Sequence, residues 1–264
     1  MPEQPNALAV LFALLITIGG PYFLLSTTGP LVQYWHGISS QREPYALYAL
    51  SNVASLLALV SYPILIEPYV PLHLEQSIWA RLFLVYLIVL AVVCVRLISA
   101  GVLHKRKVTA EEMDTATVSK IMLLKWIALA ALPAFLLVAT TTQITHVIAP
   151  VPLLWTIPLT LYLVTLIMAF AGVGKSPYWS LLLVVSAYGA YVYTPASQLD
   201  ILVQFAAYLV LLFACGLCAH AKLYAMRPHL ARSPLFYLTI SFGGMIGTLC
   251  ASLIAPLVFT ELWE

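Results

Sequence analysis

Charge is what this chain has least of. Only 12 Lys or Arg and 10 Asp or Glu occur among 264 residues, so that 8% are charged, against about a quarter in an ordinary soluble domain. With 62% hydrophobic residues, a water-soluble fold could not cover its own surface. No Asp or Glu stands in the middle of an apolar run, and general acid or base work wants a paired or burial-tuned set of titratable groups. The chain is therefore poorly equipped as an enzyme on its own, and no catalytic residue is assigned. Cysteine is scarce too: Cys94, Cys215, Cys218 and Cys250 all lie inside apolar runs, which excludes an extracellular disulfide framework. HExxH zinc spacing and a Gly-rich dinucleotide fingerprint are missing. The GVGKS at 172–176 lacks the leading glycine of a phosphate-binding loop, because Ala169 stands in its place. Nothing in these patterns calls for a metal, a cofactor or a nucleic acid.

What the chain does have is long apolar stretches. A membrane span needs about 20 mostly apolar residues to cross about 30 Å of hydrocarbon, and eight runs approach or meet that: 7–27, 45–66, 78–102, 121–140, 151–171, 178–195, 200–221 and 235–259. The sixth is the shortest. The expected fold is all-α, a polytopic transmembrane helical bundle of about eight spans kinked at Gly and Pro sites, forming one integral membrane domain over 1–264. Basic residues follow the odd-numbered runs (Arg42; Lys105, Arg106, Lys107 and Lys120; Lys175; Lys222, Arg227 and Arg232), while Glu67, Glu75 and Asp200 lie on the other side with Arg81. By the positive-inside rule the odd loops are cytoplasmic and both termini face outward. The longest of them, at 103–120, is a polar loop suited to an anionic inner leaflet. The first run lacks a basic leader and a small-residue cleavage site, so it reads as a retained span. Trp35, Trp79, Trp126, Trp155, Trp179 and Trp263 fall near span ends, as interfacial indoles do.

Polar side chains inside these runs mark the inner faces. The stretch at 140–170 packs Thr140, Thr141, Thr142, Gln143, Thr145 and His146 ahead of Pro150, Pro152 and Pro158. Backbone groups freed by proline must find partners within the protein, which makes this stretch the expected inner wall of any site. Asn52 shares the second run with Ser51 and Ser55; it is either an interhelical hydrogen bonder or a ligand contact. Gly19, Gly20 and Pro21 predict a kink in the first run. Gly243, Gly247, Ala251 and Ala255 recur at four-residue intervals, a small-residue seam for close helix approach whose partner can be in this chain or another. The pair Cys215 and Cys218 reads as small packing residues. His220 and His146 are expected at opposite depths, which argues against a shared haem or metal.

Four phrases taken together, PYFLLSTTGPLVQYW (21–35), PYALYALSNVASLLALVSYPILIEP (44–68), VPLLWTIPLTLYLVTLIMAF (151–170) and FYLTISFGGMIGTLCASLIAPLVF (236–259), resemble the membrane region of bacterial fused spermidine synthase-like proteins, also described as transporter-like/spermidine synthase proteins. The resemblance spans nearly the whole chain. It implies leading helices upstream and a soluble, Rossmann-type aminopropyltransferase-like domain downstream, neither of which is in this sequence. It also implies a bacterial inner membrane and a link to polyamine or related amine metabolism. The chain departs from the pattern at His146 and Lys222, where acidic residues are expected.

Three functions follow as expectations. The first is a membrane module that anchors or serves a separate amine-transferring enzyme, with the lipid bilayer, companion membrane helices and a soluble aminopropyltransferase-like protein as partners. The second is a stand-alone small-molecule transporter for a polyamine or an amphipathic substrate, its candidate contacts being Asn52, Tyr62, Glu67, Thr141, Gln143, Thr145, His146, Trp155 and Tyr162, with Tyr22 as a further aromatic face. The third is a truncated remnant without activity.

Overall fold

Helices occupy each of the eight apolar runs. The computed structural model describes residues 7–40, 45–99, 101, 118–147, 152–174, 178–193, 201–228 and 232–258. In chain order the elements are α1 (Ala7–Leu14), joined through a π-helical turn (Leu15–Gly19) to α2 (Gly20–Ser40); α3 (Tyr45–Ser61), ending in a π-turn (Tyr62–Ile66); α4 (Leu72–Ser99); α5 (Lys120–Val147); α6 (Pro152–Phe170); α7 (Tyr178–Tyr193); α8 (Ile201–Ala225); and α9 (Ser233–Leu249), continued by a π-turn (Cys250–Ile254) into α10 (Ala255–Val258). No strand occurs among the described residues. Among the described residues, six helical stretches are long and apolar enough to cross a membrane: Leu8–Gly37, Tyr45–Ile66, Leu72–Ser99, Lys120–Thr145, Leu202–Ala225 and Ser233–Val258. The α6 and α7 helices are shorter, at 19 and 16 residues. At 1.5 Å per residue, α7 covers only about 24 Å. This is a polytopic helical membrane protein.

Two boundaries differ from the sequence expectation. The first helix does not stop near residue 27 but runs to Ser40 through Pro30. Its polar row is satisfied locally: Ser26 and Thr27 donate to the Phe23 carbonyl at 3.1 and 2.8 Å, and Thr28 donates to that of Leu24 at 2.7 Å. Hydroxyls that bond back one turn need no external partner in lipid. The fourth helix likewise continues past residue 140 to Val147, which places the threonine cluster at the end of α5 rather than at the start of α6.

The three π-turns share one cause. Proline lacks a donor, and its ring crowds the carbonyl four residues earlier. The residue four before Pro21 is Thr17, four before Pro68 is Ile64, and four before Pro256 is Ser252; each is the middle residue of a π-turn. Widening the ladder there lets the backbone bond one residue further along, as in Glu67 N–H to the Tyr62 carbonyl at 2.9 Å. The deformation expected at Pro21 thus sits in the turn just before it.

The tightest packing joins α5 to α9, with α8 against α5, α6 and α7, and α3 against α6. Close approach of α5 and α9 depends on Gly243 and Gly247. A Cβ at Gly243 would stand 2.7 Å from the Ile127 carbonyl oxygen, and one at Gly247 would overlap the Ala131 carbonyl. Ala251 and Ala255 continue the buried line. The seam therefore faces a helix of the same chain. By contrast, none of the residues of α4 is buried. It meets α2 through Tyr86, whose hydroxyl donates to the Leu24 carbonyl at 2.9 Å and also pairs with the Thr28 hydroxyl.

Gly172 and Gly174 of the GVGKS stretch close α6. Gly172 takes φ 89°, its N–H bonds the Ala169 carbonyl at 3.0 Å, and the Val173 N–H bonds that of Met168 at 2.8 Å. That pair of bonds is a Schellman cap, which requires the left-handed conformation only glycine adopts readily. Gly174, at φ 108°, lies against Leu217 and Ala221 of α8.

Candidate functional site

Aromatic residues from five helices meet at one end of the bundle. They come from the starts of α3, α5 and α9 and from the ends of α6 and α8, the chain positions that border the basic loops. Tyr45 and Tyr48 share a face of α3 because they are three residues apart. The Tyr45 ring lies 6.0 Å from Phe236, 6.1 Å from Tyr237 and 6.4 Å from Tyr224. Tyr48 stacks on Tyr237 at 5.3 Å and touches Phe170 at 4.5 Å. Trp126 sets its edge on Phe236 at 5.0 Å and is 1% exposed. The sequence placed Trp126 at an interface; the structure puts it at that depth but turned into the bundle, because its indole N–H donates to the Met226 carbonyl at 3.2 Å.

A polar layer lies against these rings. Asn52 Nδ2 donates to the Tyr48 carbonyl at 2.8 Å. Tyr162 and Tyr48 both pack against the buried cluster that holds Phe170 and Tyr237, and Tyr162 sets its ring edge-on to His220 at 5.2 Å. His220 Nδ1 pairs with the Thr165 hydroxyl at 3.0 Å, and Thr165 donates to the Tyr162 carbonyl at 2.7 Å. Room for Thr165 exists because residue 216 is glycine: a Cβ there would lie 2.9 Å from Oγ1. His220 and Thr165 are almost fully buried, so a paired polar contact fixes the register of α6 on α8. Among the described residues, the Tyr237 hydroxyl and Gln33 Oε1 are buried without a hydrogen bond, in side chains that are 4% exposed. A donor or acceptor left so costs about 1–3 kcal/mol.

The residues singled out in the sequence fall into two groups. Asn52 bonds the Tyr48 carbonyl, and Tyr162 packs against the same buried cluster as Tyr48. Tyr62 and Glu67 stand at the far end of α3, where the Tyr62 hydroxyl donates to Glu75 Oε1 at 2.8 Å and Glu67 is exposed. Thr141, Gln143 and Thr145 are half-buried in the last turns of α5, with Thr141 and Thr145 donating to the carbonyls of Leu137 and Thr142 at 2.7 and 2.8 Å. Trp155 is 48% exposed and faces outward, as does Tyr22 at 67%. His146 lies in α5, with its side chain outside the described residues, as is most of the 103–120 loop. Tyr45, Tyr48, Thr165, Tyr224 and Tyr237 escaped the sequence reading. The one signal for the tyrosines was their density beside the basic loops.

No family model, curated protein or solved structure matches the chain. The site offers ring faces, hydroxyls, an amide and an imidazole. The only carboxylates among the described residues, Glu67 and Glu75, are at the other end of α3 and the start of α4. Such a set suits packing, or neutral and hydrogen-bonding groups, better than a multiply charged amine.

Proposed function

We propose that this chain is an integral membrane module of the bacterial inner membrane, with the basic loops cytoplasmic, that anchors or serves a separate amine-transferring, polyamine-related enzyme. The sequence resemblance supplies the amine chemistry. The observation that carries the reading is the contrast between the tightly packed α5, α6, α8 and α9 and the outlying α4, 28 residues long with none buried. A helix so loosely held by its own chain is suited to companion helices, and the basic loops are suited to a soluble partner. Co-purification from native membranes in mild detergent tests this: a companion membrane protein or transferase should remain bound. Recovery of a lone monomer would refute it.

Transport remains the second reading, favoured by the unpartnered Tyr237 hydroxyl within the buried tyrosine group. The substrate it supports is neutral or amphipathic, since among the described residues no buried carboxylate stands near the rings. Flux assays in vesicles with labelled polyamines and with uncharged amphiphiles decide it; flux equal to that of empty vesicles would remove it.

A further inference from the structure

The exit of α8 is held in an unusual way. Trp126 from α5 binds the carbonyl of Met226, and Tyr45 from α3 binds that of Pro228 through its hydroxyl. Arg227 stands between these two anchored residues. Its guanidinium lies over the Tyr224 ring at 4.0 Å and 5.4 Å from the Tyr45 ring centroid, and its Nη1 donates to the Tyr224 carbonyl at 3.1 Å. A guanidinium stacked on aromatic rings and tied to a carbonyl keeps a fixed orientation, unlike a freely rotating surface arginine. It also lies two residues beyond the apolar span Leu202–Ala225, at the level where lipid headgroups begin.

Among the described residues, the charged side chains at this end are basic. The contact between Trp126 and Met226 brings the start of α5 against the end of α8, so Lys120, Lys125 and Lys222, all exposed, gather at the same end as Arg227. The described carboxylates, Glu67 and Glu75, are on the other side of the bundle. The geometry points to a binding site for the phosphate of an anionic lipid headgroup, with Arg227 as its oriented contact and Lys125 and Lys222 as the basic rim. Arginine suits phosphate because its planar fork can engage two oxygens at once. Lysines near the bilayer surface add attraction for anionic over zwitterionic lipid. The site is independent of the amine-related reading, because it concerns lipid and not a protein companion.

The test uses the full chain in detergent, titrated separately with phosphatidylglycerol, phosphatidylcholine and inorganic phosphate. Bound lipid is read by native mass spectrometry and stability by thermal unfolding. Phosphatidylglycerol should be retained and should raise the unfolding midpoint more than phosphatidylcholine does, and inorganic phosphate should do neither. Arg227→Gln should weaken the preference about fivefold, and the Lys125→Gln, Lys222→Gln double variant by about fivefold for each charge removed. Arg227→Lys should lose part of the preference by giving up the planar fork. The lysine variant alters only exposed side chains, so it decides the matter if Arg227→Gln does not fold. Equal retention of both lipids, an unchanged preference in the folded variants, or stabilisation by inorganic phosphate alone would overturn the proposal.

Discussion

Replacing Gly247 with alanine should separate the two most closely packed helices of the protein. The added Cβ would overlap the Ala131 carbonyl and approach its Cα at 2.9 Å, so a backbone rather than a yielding side chain opposes it. At Gly243 the Cβ would lie 2.7 Å from the Ile127 oxygen. Ordinary contact begins at 3.4 Å, which requires a retreat of about 0.7 Å at that level and more at Gly247. Overpacking of this kind costs about 1–3 kcal/mol; Gly247→Ala belongs at the upper end and Gly243→Ala lower. Gly244 is on the same helix with nothing within 4 Å of its Cβ position, so Gly244→Ala should be neutral or stabilising by up to about 1 kcal/mol and controls for helix propensity. Equilibrium unfolding of the three variants in mixed micelles measures the differences. If Gly247→Ala were as stable as Gly244→Ala, the close approach of α5 and α9 through this seam would be refuted.

Three further outcomes follow from the same structure. Gln33→Leu and Tyr237→Phe each remove a buried group that has no partner, so each should leave unfolding stability unchanged or raise it by about 1 kcal/mol; a loss of more than that would mean the group is satisfied in the native protein. Gly216→Ala should displace Thr165 from His220 and lower stability by about 1–2 kcal/mol, with Thr165→Val combined with it costing little more; full additivity in a double-mutant cycle would contradict the shared contact. Pro256→Ala restores a donor opposite Ser252 and should convert the π-turn at Cys250–Ile254 to regular helix, seen as slower amide hydrogen exchange there; unchanged exchange would separate the π-turn from its proline.

Much of the architecture was legible in the residues. Scarce charge and eight apolar runs determined a helical membrane protein, since a lipid-exposed backbone must satisfy its own hydrogen bonds. The four-residue spacing of Gly243, Gly247, Ala251 and Ala255 marked a packing face, because helical periodicity is local. Tertiary structure alone decided that this face meets α5 of the same chain, that Thr141 and Thr145 bond back within their own helix, and that Tyr48, bonded by Asn52, packs with Tyr162 against one buried cluster while Tyr62 and Glu67 stand apart. It also turned Trp126 inward onto Met226 and paired His220 with Thr165. The physical reason is common to all of these: spacing along one helix fixes which residues share a face, but which faces meet depends on rotation and depth of helices far apart in the chain, and those are set by packing.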